Sequence, residues 1–448
     1  MTQRAQTTAD STEIDSMWKA PGLVPTLVAV LAAFGGWSLL LPVIPQAILD
    51  DGRGTGLAGA YTGVFMAATV LTQTQTPRML RKYGYQATMF VSGLLLGLPT
   101  FFHLFGTDAA LVLAIAVVRG MGFGALTVAE SALIAELVPL KFLGKASGTL
   151  GVAVGVAELT CLPLGLAIAH WTGSYQWVYV LGGIISLVGS AMALLIPKIK
   201  AAAKPGRRGK KSQGGAELPA RDPGPAAPVP TWKLVAVPAL AMATTAMGFG
   251  GVSAFLAPAA QEIDLVAGAF VAGGALSVMG GSQMVFRYIA GVWADRKDRA
   301  GTLLIGALTA GVLGLAFIAL VVSAGWSAWW LLGAAGFYGA GFGIVQNEAL
   351  LLMFARLPRE RTAEASAYWN MAFDSGTGLG SFILGLVAGV ALQPYPAVFA
   401  AAAGLMMLGL VAAILDQVIG AHRVVEIHNT RATLRKLGGA VVKPRRRG

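Results

Sequence analysis

Two side chains of opposite charge fall inside long apolar stretches of this chain. Arg119 lies about 10 residues into one stretch and Glu158 about 11 residues into the next, which runs the other way. At roughly 1.5 Å of rise per residue both reach mid-depth. An ionisable group at a bilayer centre costs at least about 2.5–3.5 kcal/mol and usually faces water or a partner. The pairing that depth suggests makes Glu158 a proton carrier whose charge state is set by Arg119. Desolvation favours the neutral carboxyl, and a guanidinium favours the charged one. The bland alternative is a static ion pair that fixes helix packing. Glu130 stands eleven residues beyond Arg119, within about 20° of the same helix face. It reads as a proton relay or as a span-end residue in water. Gln346-Asn347-Glu348 interrupts a further apolar stretch, and Asn370 and Asp374, one turn apart, interrupt the next. These polar groups read as a site for substrate or a second proton, or as interhelical hydrogen bonds. Trp37 and Gln46 flank Pro42 and Pro45, which should kink their helix, as should Pro258. Both are candidates to line a cavity, and Gln73 and Gln75 are similar.

The elements that must hold these residues are membrane spans. The chain has 448 residues, 56% hydrophobic and only 12% charged, with a mean hydropathy of +0.68. An average soluble domain is about 25% charged. Twelve stretches of the roughly 20 apolar residues that cross a bilayer are expected, at 23–48, 57–76, 88–107, 109–137, 147–170, 176–197, 234–260, 266–290, 302–323, 328–355, 364–391 and 396–419. They are long continuous runs, unlike the short alternating strands of a membrane barrel. The expected organisation is a tail at 1–22, a six-helix bundle at 23–197, a basic linker at 198–233, a second six-helix bundle at 234–419 and a basic tail at 420–448. Residues 1–22 carry Asp10, Glu13 and Asp15 in place of the basic start of a cleavable signal.

Orientation follows from Lys and Arg. With the amino terminus inside, Arg78, Arg81, Lys82, Lys141, Lys145, Arg296, Lys297, Arg299, Arg356, Arg359, Arg361, the linker and the tail all face the cytoplasm, and the outside loops hold only Arg53. A multi-pass plasma-membrane protein with both termini cytoplasmic is expected. The bias accounts for the net charge of +12 without a nucleic-acid partner. Trp171, Trp177, Trp326, Trp329 and Trp330 sit where interface anchors belong. The single cysteine, Cys161, matches no metal spacing and reads as a packing residue. His103 and His170 fall near outer span ends. No metal or cofactor is expected.

The chain also repeats itself. Phe34-Gly35-Gly36-Trp37-Ser38 returns as Phe249-Gly250-Gly251-Val252-Ser253 at an offset of 215. The run after Arg119, with Gly122-Phe123-Gly124, returns after Tyr338 as Gly341-Phe342-Gly343 at an offset of 219, as do Pro139 and Ala146-Ser147 in Pro358 and Ala365-Ser366. Six spans is an even number, so both halves enter from one side. The expected fold is therefore all-α, with twelve transmembrane helices as two parallel six-helix repeats around a central cavity. Rocking such halves exposes the cavity to each side in turn.

These features resemble the major facilitator superfamily over essentially the whole chain. Gly291-Val292-Trp293-Ala294-Asp295-Arg296 is similar to the family's G-x-x-x-D-R loop, and Arg119 with its glycines is similar to its buried-arginine motif. Gly151-x3-Gly155 with Pro163-Leu164-Gly165 is similar to the glycine-proline motif of proton-coupled exporters. The first-half loop departs, with Arg81 where the family has Asp, and Asp298 replaces a usual Gly. The resemblance implies alternating access and export of a small amphipathic compound by proton antiport. It makes Gly291, Asp295 and Arg296 a conformational latch, with Arg287 in the same network. A monomer working with protons, a small-molecule substrate and the lipid bilayer is the expectation. Uptake by symport or facilitation is the alternative within transport. A polytopic enzyme has no support in G-x-S-x-G, H-E-x-x-H or G-x4-G-K, none of which occurs. A non-transporting sensor leaves Arg119, Glu158 and Asp374 without a reason.

Overall fold

The computed structural model describes residues 15–53, 55–201, 230–297 and 299–419. Most of the expected linker and all of the expected basic tail lie outside these, as does Asp298. The first half contains α1 (Leu23–Leu40), α2 (Val43–Asp50), α3 (Thr55–Tyr83), α4 (Tyr85–Gly97), α5 (Ala109–Leu137), α6 (Leu143–Thr172) and α7 (Gln176–Ala193). The second contains α8 (Thr231–Ile263), α9 (Gly268–Lys297), α10 (Leu304–Ser323), α11 (Trp330–Arg356), α12 (Thr362–Val390) and α13 (Pro394–Ile419). Pro42 breaks the first span between α1 and α2, as a missing backbone donor requires. A 3-10 segment, Leu98–Phe105, continues α4 with Pro99 in its first turn. By contrast, α8 runs unbroken through Pro238 and Pro258.

Among the described residues, nine of the helical units are long and apolar enough to cross a membrane. The ones that fall short are α3, α9 and α11, which carry Gln73, Gln283 with Arg287, and Gln346-Asn347-Glu348. A helix enclosed by other helices can hold polar groups that a lipid-facing one cannot.

Each half packs around its own apolar core. Within the first half, α1 packs on α6 and α7, α3 on α5, and α4 on α5 and α7. The second half repeats every pairing: α8 on α12 and α13, α9 on α11, and α10 on α11 and α13. Glycine explains one of them. A Cβ on Gly124 of α5 would sit 2.3 Å from the Thr69 carbonyl oxygen of α3, and one on Gly343 of α11 would sit 2.1 Å from the Gln283 carbonyl oxygen of α9. Only glycine lets those backbones touch, and small residues at such crossings are the rule between membrane helices. The halves meet along two seams, α12 with α3 and α5, and α6 with α9. The ends of α3, α9 and α11 and the starts of α6 and α12 gather Arg81, Lys82, Lys145, Arg296, Lys297, Arg356 and Arg359 at one face, the basic end.

Candidate functional site

At the basic end the α6–α9 seam is a backbone contact sealed by a carboxylate. A Cβ on Gly291 would meet the Gly144 carbonyl oxygen at 2.1 Å, and one on Gly144 would meet that of Gly291 at 2.4 Å. This close approach brings Asp295 to the first turn of α6. Its two carboxylate oxygens accept from the backbone N–H groups of Gly144 and Lys145, each at 2.7 Å. A helix start has unsatisfied N–H groups and a partial positive charge. No side chain of the preceding residue, Phe142, caps α6; Asp295 does so from the other half. Arg296 is exposed at the last turn of α9, so Gly291 and Asp295 form this contact without it.

The α3–α12 seam is closed with the opposite polarity. Arg81, standing where the family has an acid, pairs with Glu364 in the first turn of α12 at 3.6 Å, with side chains 18% and 14% exposed. Above this pair a ladder of polar contacts rises into the bundle. Ser131 and Ser366 share a hydrogen bond, and Ser366 Oγ also donates to the Val128 carbonyl at 2.8 Å. Asn370 Nδ2 donates to the Thr127 carbonyl at 3.1 Å and to Ser131 at 3.2 Å. Gln73 Nε2 donates to Thr127 at 3.2 Å and to Asp374 at 2.5 Å. Asp374 is thus buried at the seam against the first half.

Across the bundle Arg287 of α9 occupies the matching level. Its Nη1 donates to Gln346 Oε1 at 3.0 Å, and its guanidinium lies over the Trp369 ring at 5.5 Å. Trp369 Nε1 in turn donates to the Gln346 carbonyl at 3.0 Å. The Arg287 side chain lies against Gly151 of α6, where a Cβ would fall 2.3 Å from its Cδ. Glu130 of α5 and Glu158 of α6 are the carboxylates that feel its charge. A buried cation of one half thus lies within electrostatic range of two acids of the other, with no ion-pair contact to either among the described residues. Arg287 is 7% exposed with an unpartnered Nε, and Glu130 is 5% exposed with an unpartnered Oε2. Arg287 therefore belongs well inside the latch, and Glu130 is no water-facing span end.

Other expectations need correction. Arg119 and Glu158 are not paired. Arg119 donates to the Tyr61 hydroxyl at 2.7 Å and, through Nε, to the Leu96 carbonyl at 3.2 Å, and lies 6.0 Å from the Phe65 ring centre. Equal depth brings no contact because α6 turns Glu158 toward α9. Glu348 does not join Asp374 in one patch. It accepts from the Leu303 backbone N–H at 3.3 Å and so caps the start of α10 within its own half. Asn347 is fully buried with both amide atoms unpartnered. Gln46 is exposed and donates to Asp50, one turn on, at 2.8 Å. Trp37 is half-buried and stacks on Phe123 at 4.6 Å. Of the site residues, Tyr61, Thr127 and Trp369 carried no sequence signal of their own. Gln73 and Ser366 did, as a polar break in an apolar run and as a member of the repeat.

Aromatic rings flank this polar layer in both halves. Phe34 meets Phe123 at 5.2 Å, and the equivalent Phe249 meets Phe342 at 5.2 Å. Among the described residues no group of three or more His, Cys, Asp or Glu has metal-binding proximity.

Long apolar helices in two like-packed halves, with charges buried where the halves meet, define a multi-pass membrane protein. The family model described as the Major Facilitator Superfamily matches residues 26–381, and the chain belongs to that family. An uncharacterized MFS-type transporter of Mycobacterium tuberculosis (strain ATCC 25618 / H37Rv) is 26% identical over 183 residues, covering 39% of this chain. The MFS transporter asaE of Aspergillus flavus is 26% identical over 180 residues, covering 40% of each chain. The match spans only 26% of the length of the Mycobacterium protein. Two solved structures share the fold. The human organic anion transporter MFSD10 (TETRAN) has a TM-score of 0.65 at 14% identity, covering 88% of this chain and 99% of that one. A bacterial homologue of the iron transporter ferroportin, in an outward-facing state, has a TM-score of 0.67 at 15% identity, covering 88% and 98%.

Proposed function

We propose that this chain is a secondary active transporter of the plasma membrane that exports a small amphipathic compound in exchange for protons. It crosses the bilayer twelve times as two parallel repeats, with the basic end and both termini in the cytoplasm. The contacts between halves described above lie from the basic end to mid-span, so the conformation is closed toward the cytoplasm. The observation that carries the coupling is Arg287, a buried cation of the second half packed against Gly151 of α6, with Glu130 and Glu158 of the first half within electrostatic range. Protonating either carboxylate removes its attraction to Arg287 and weakens the α6–α9 seam. Protons taken up from outside thus favour opening of the basic end. There they leave to the cytoplasm, and the restored charges draw the halves together around the cargo's outward path. A ligand or proton shifts such an equilibrium only by its differential affinity for the two states, and Glu158, at mid-span, is placed to supply it. Asp374, bound to Gln73 across the other seam, is the second proton candidate. Trp37, Gln346, Asn347 and Asn370 are proposed to face or support the cargo path. The aromatic rings of both halves suit an amphipathic cargo.

The test is purified protein in vesicles with an imposed pH gradient and a panel of amphipathic dyes and metabolites. The expected result is efflux that follows the gradient. Glu158→Gln should abolish gradient-driven accumulation and leave downhill exchange intact. Full coupling in that variant would remove Glu158 from the mechanism, and the absence of any flux would favour a sensor.

A further inference from the structure

A cavity of about 680 Å³ lies at the basic end beside the Asp295 contact, apart from the central polar layer. Both halves build it. Leu140, Leu143 and Gly144 come from the first, and the second supplies the end of α9, the loop before α10 and its first turn, the end of α11, the segment leading into α12 and the end of α13. The inner wall is apolar, with Leu304, Leu351, Leu352 and Phe354. Three guanidinium groups line the rest. Arg299 and Arg359 are exposed, and their guanidinium groups make no hydrogen bond or ion pair among the described residues, though the charge of Arg359 reaches Glu136. Arg356 is 2% exposed; it uses Nη1 on the Leu234 carbonyl at 3.0 Å and Nη2 on Asp416 at 2.5 Å. Its Nε is buried without a partner. The two carboxylates of the lining are occupied, Asp295 by the α6 amides and Asp416 by Arg356.

The balance of free hydrogen-bonding groups is therefore donor, and cationic, set against an apolar wall. The volume lies within the range of small-molecule pockets, roughly 300–1,000 Å³. We propose that this cavity binds an anionic amphiphile, a phosphate or carboxylate head on a short apolar body, and that its occupancy holds the halves together at the basic end. Arginine suits such a head because its planar fork matches phosphate and carboxylate oxygens. The conformational consequence follows from the walls. Separating Gly144 from Gly291 takes the cavity apart, so a bound ligand favours the closed arrangement. This part rests on the alternating-access reading, whereas the binding itself does not. The head belongs either to an anionic lipid of the bilayer or to a free amphiphile from the aqueous side.

The experiment uses full-length protein in nanodiscs of phosphatidylcholine, titrated with decyl phosphate and read by thermal unfolding. A rise in midpoint is expected with decyl phosphate and none with decanol. The double variant Arg299→Gln/Arg359→Gln, at exposed positions and with the basic tail intact, should weaken binding about tenfold, the scale of losing charge-assisted hydrogen bonds. An equal rise with decanol, or an unchanged titration in the double variant, would overturn the site. Nanodiscs containing phosphatidylglycerol separate the sources. A raised midpoint together with competition against decyl phosphate assigns a bilayer lipid; binding of decyl phosphate unaffected by phosphatidylglycerol assigns a free amphiphile. Spin-label distances across the basic end should shorten or sharpen on titration. Unchanged distances despite binding would overturn the conformational role alone, and because no transport is measured, a failed site leaves the proton-coupled reading standing.

Discussion

The two seams that join the halves occupy equivalent places and use opposite charges. On the α6–α9 seam the acid of the basic end, Asp295, comes from the second half's G-x-x-x-D-R loop and caps a bare helix start. On the α3–α12 seam the same loop position holds Arg81, and the acid, Glu364, stands on the helix it approaches. One level higher the correspondence continues. Arg287 and Gln73 are equivalent positions at an offset of 214, and each donates to the equivalent helix of its own half, to Gln346 and Thr127. Across the interface Arg287 lies within electrostatic range of two carboxylates while Gln73 binds one, Asp374. The same packing therefore accepts the acid on either side of the basic-end contact, provided a hydrogen-bond donor or cation meets it across the gap. What the fold requires is complementarity across the gap, not a particular acid in a particular loop.

The largest effect should come from volume, which no reversal can compensate. Gly291→Val drives side-chain carbon into the Gly144 backbone and should keep the basic end open. Spin-label distances there should lengthen, and gradient-driven transport should fall by at least about a hundredfold. Next comes the substitution that restores the family residue. Arg81→Asp sets two carboxylates against each other beside Glu364, and transport should drop about tenfold. The pair Arg81→Asp/Glu364→Lys should recover most of it, and failure of that rescue would mean the two residues do not act as a unit. Asp295→Asn keeps an acceptor at the α6 start but loses its charge, an effect of about 1 kcal/mol at a helix terminus. A several-fold loss in the closed population is expected from the same distance measurement. Arg296→Gln, on an exposed side chain at the same loop, should leave both readouts within about twofold of the parent.

Most of the fold was legible because it rests on local chemistry. Apolar length marks spans, and glycines at a fixed offset mark the repeat, since backbone contacts such as Gly124 on Thr69 and Gly343 on Gln283 admit nothing larger. The site was legible only in part. Depth along a helix can be counted from a sequence, but the direction a side chain takes around the axis depends on its neighbours. Arg119 and Glu158 share a depth and point to different partners. Glu348 looks like a cavity acid until the loop it caps is seen. Arg81 reads alone as the loss of a latch. Its counterpart Glu364 lies far along the chain, and nothing local links the two.

Arg119 and Tyr338 hold the same place in the two repeats, yet one carries a full charge and the other ends in a hydroxyl bonded to the Thr245 carbonyl. The two halves thus carry buried cations at different places, Arg119 in the first and Arg287 in the second. In the proposed rocking, tilting the first half would carry Arg119 through some fraction of the transmembrane field, worth about 2.3 kcal/mol per elementary charge per 100 mV for the full crossing. On the proposed alternating-access reading, membrane voltage would bias the rocking motion through the net charge each half moves.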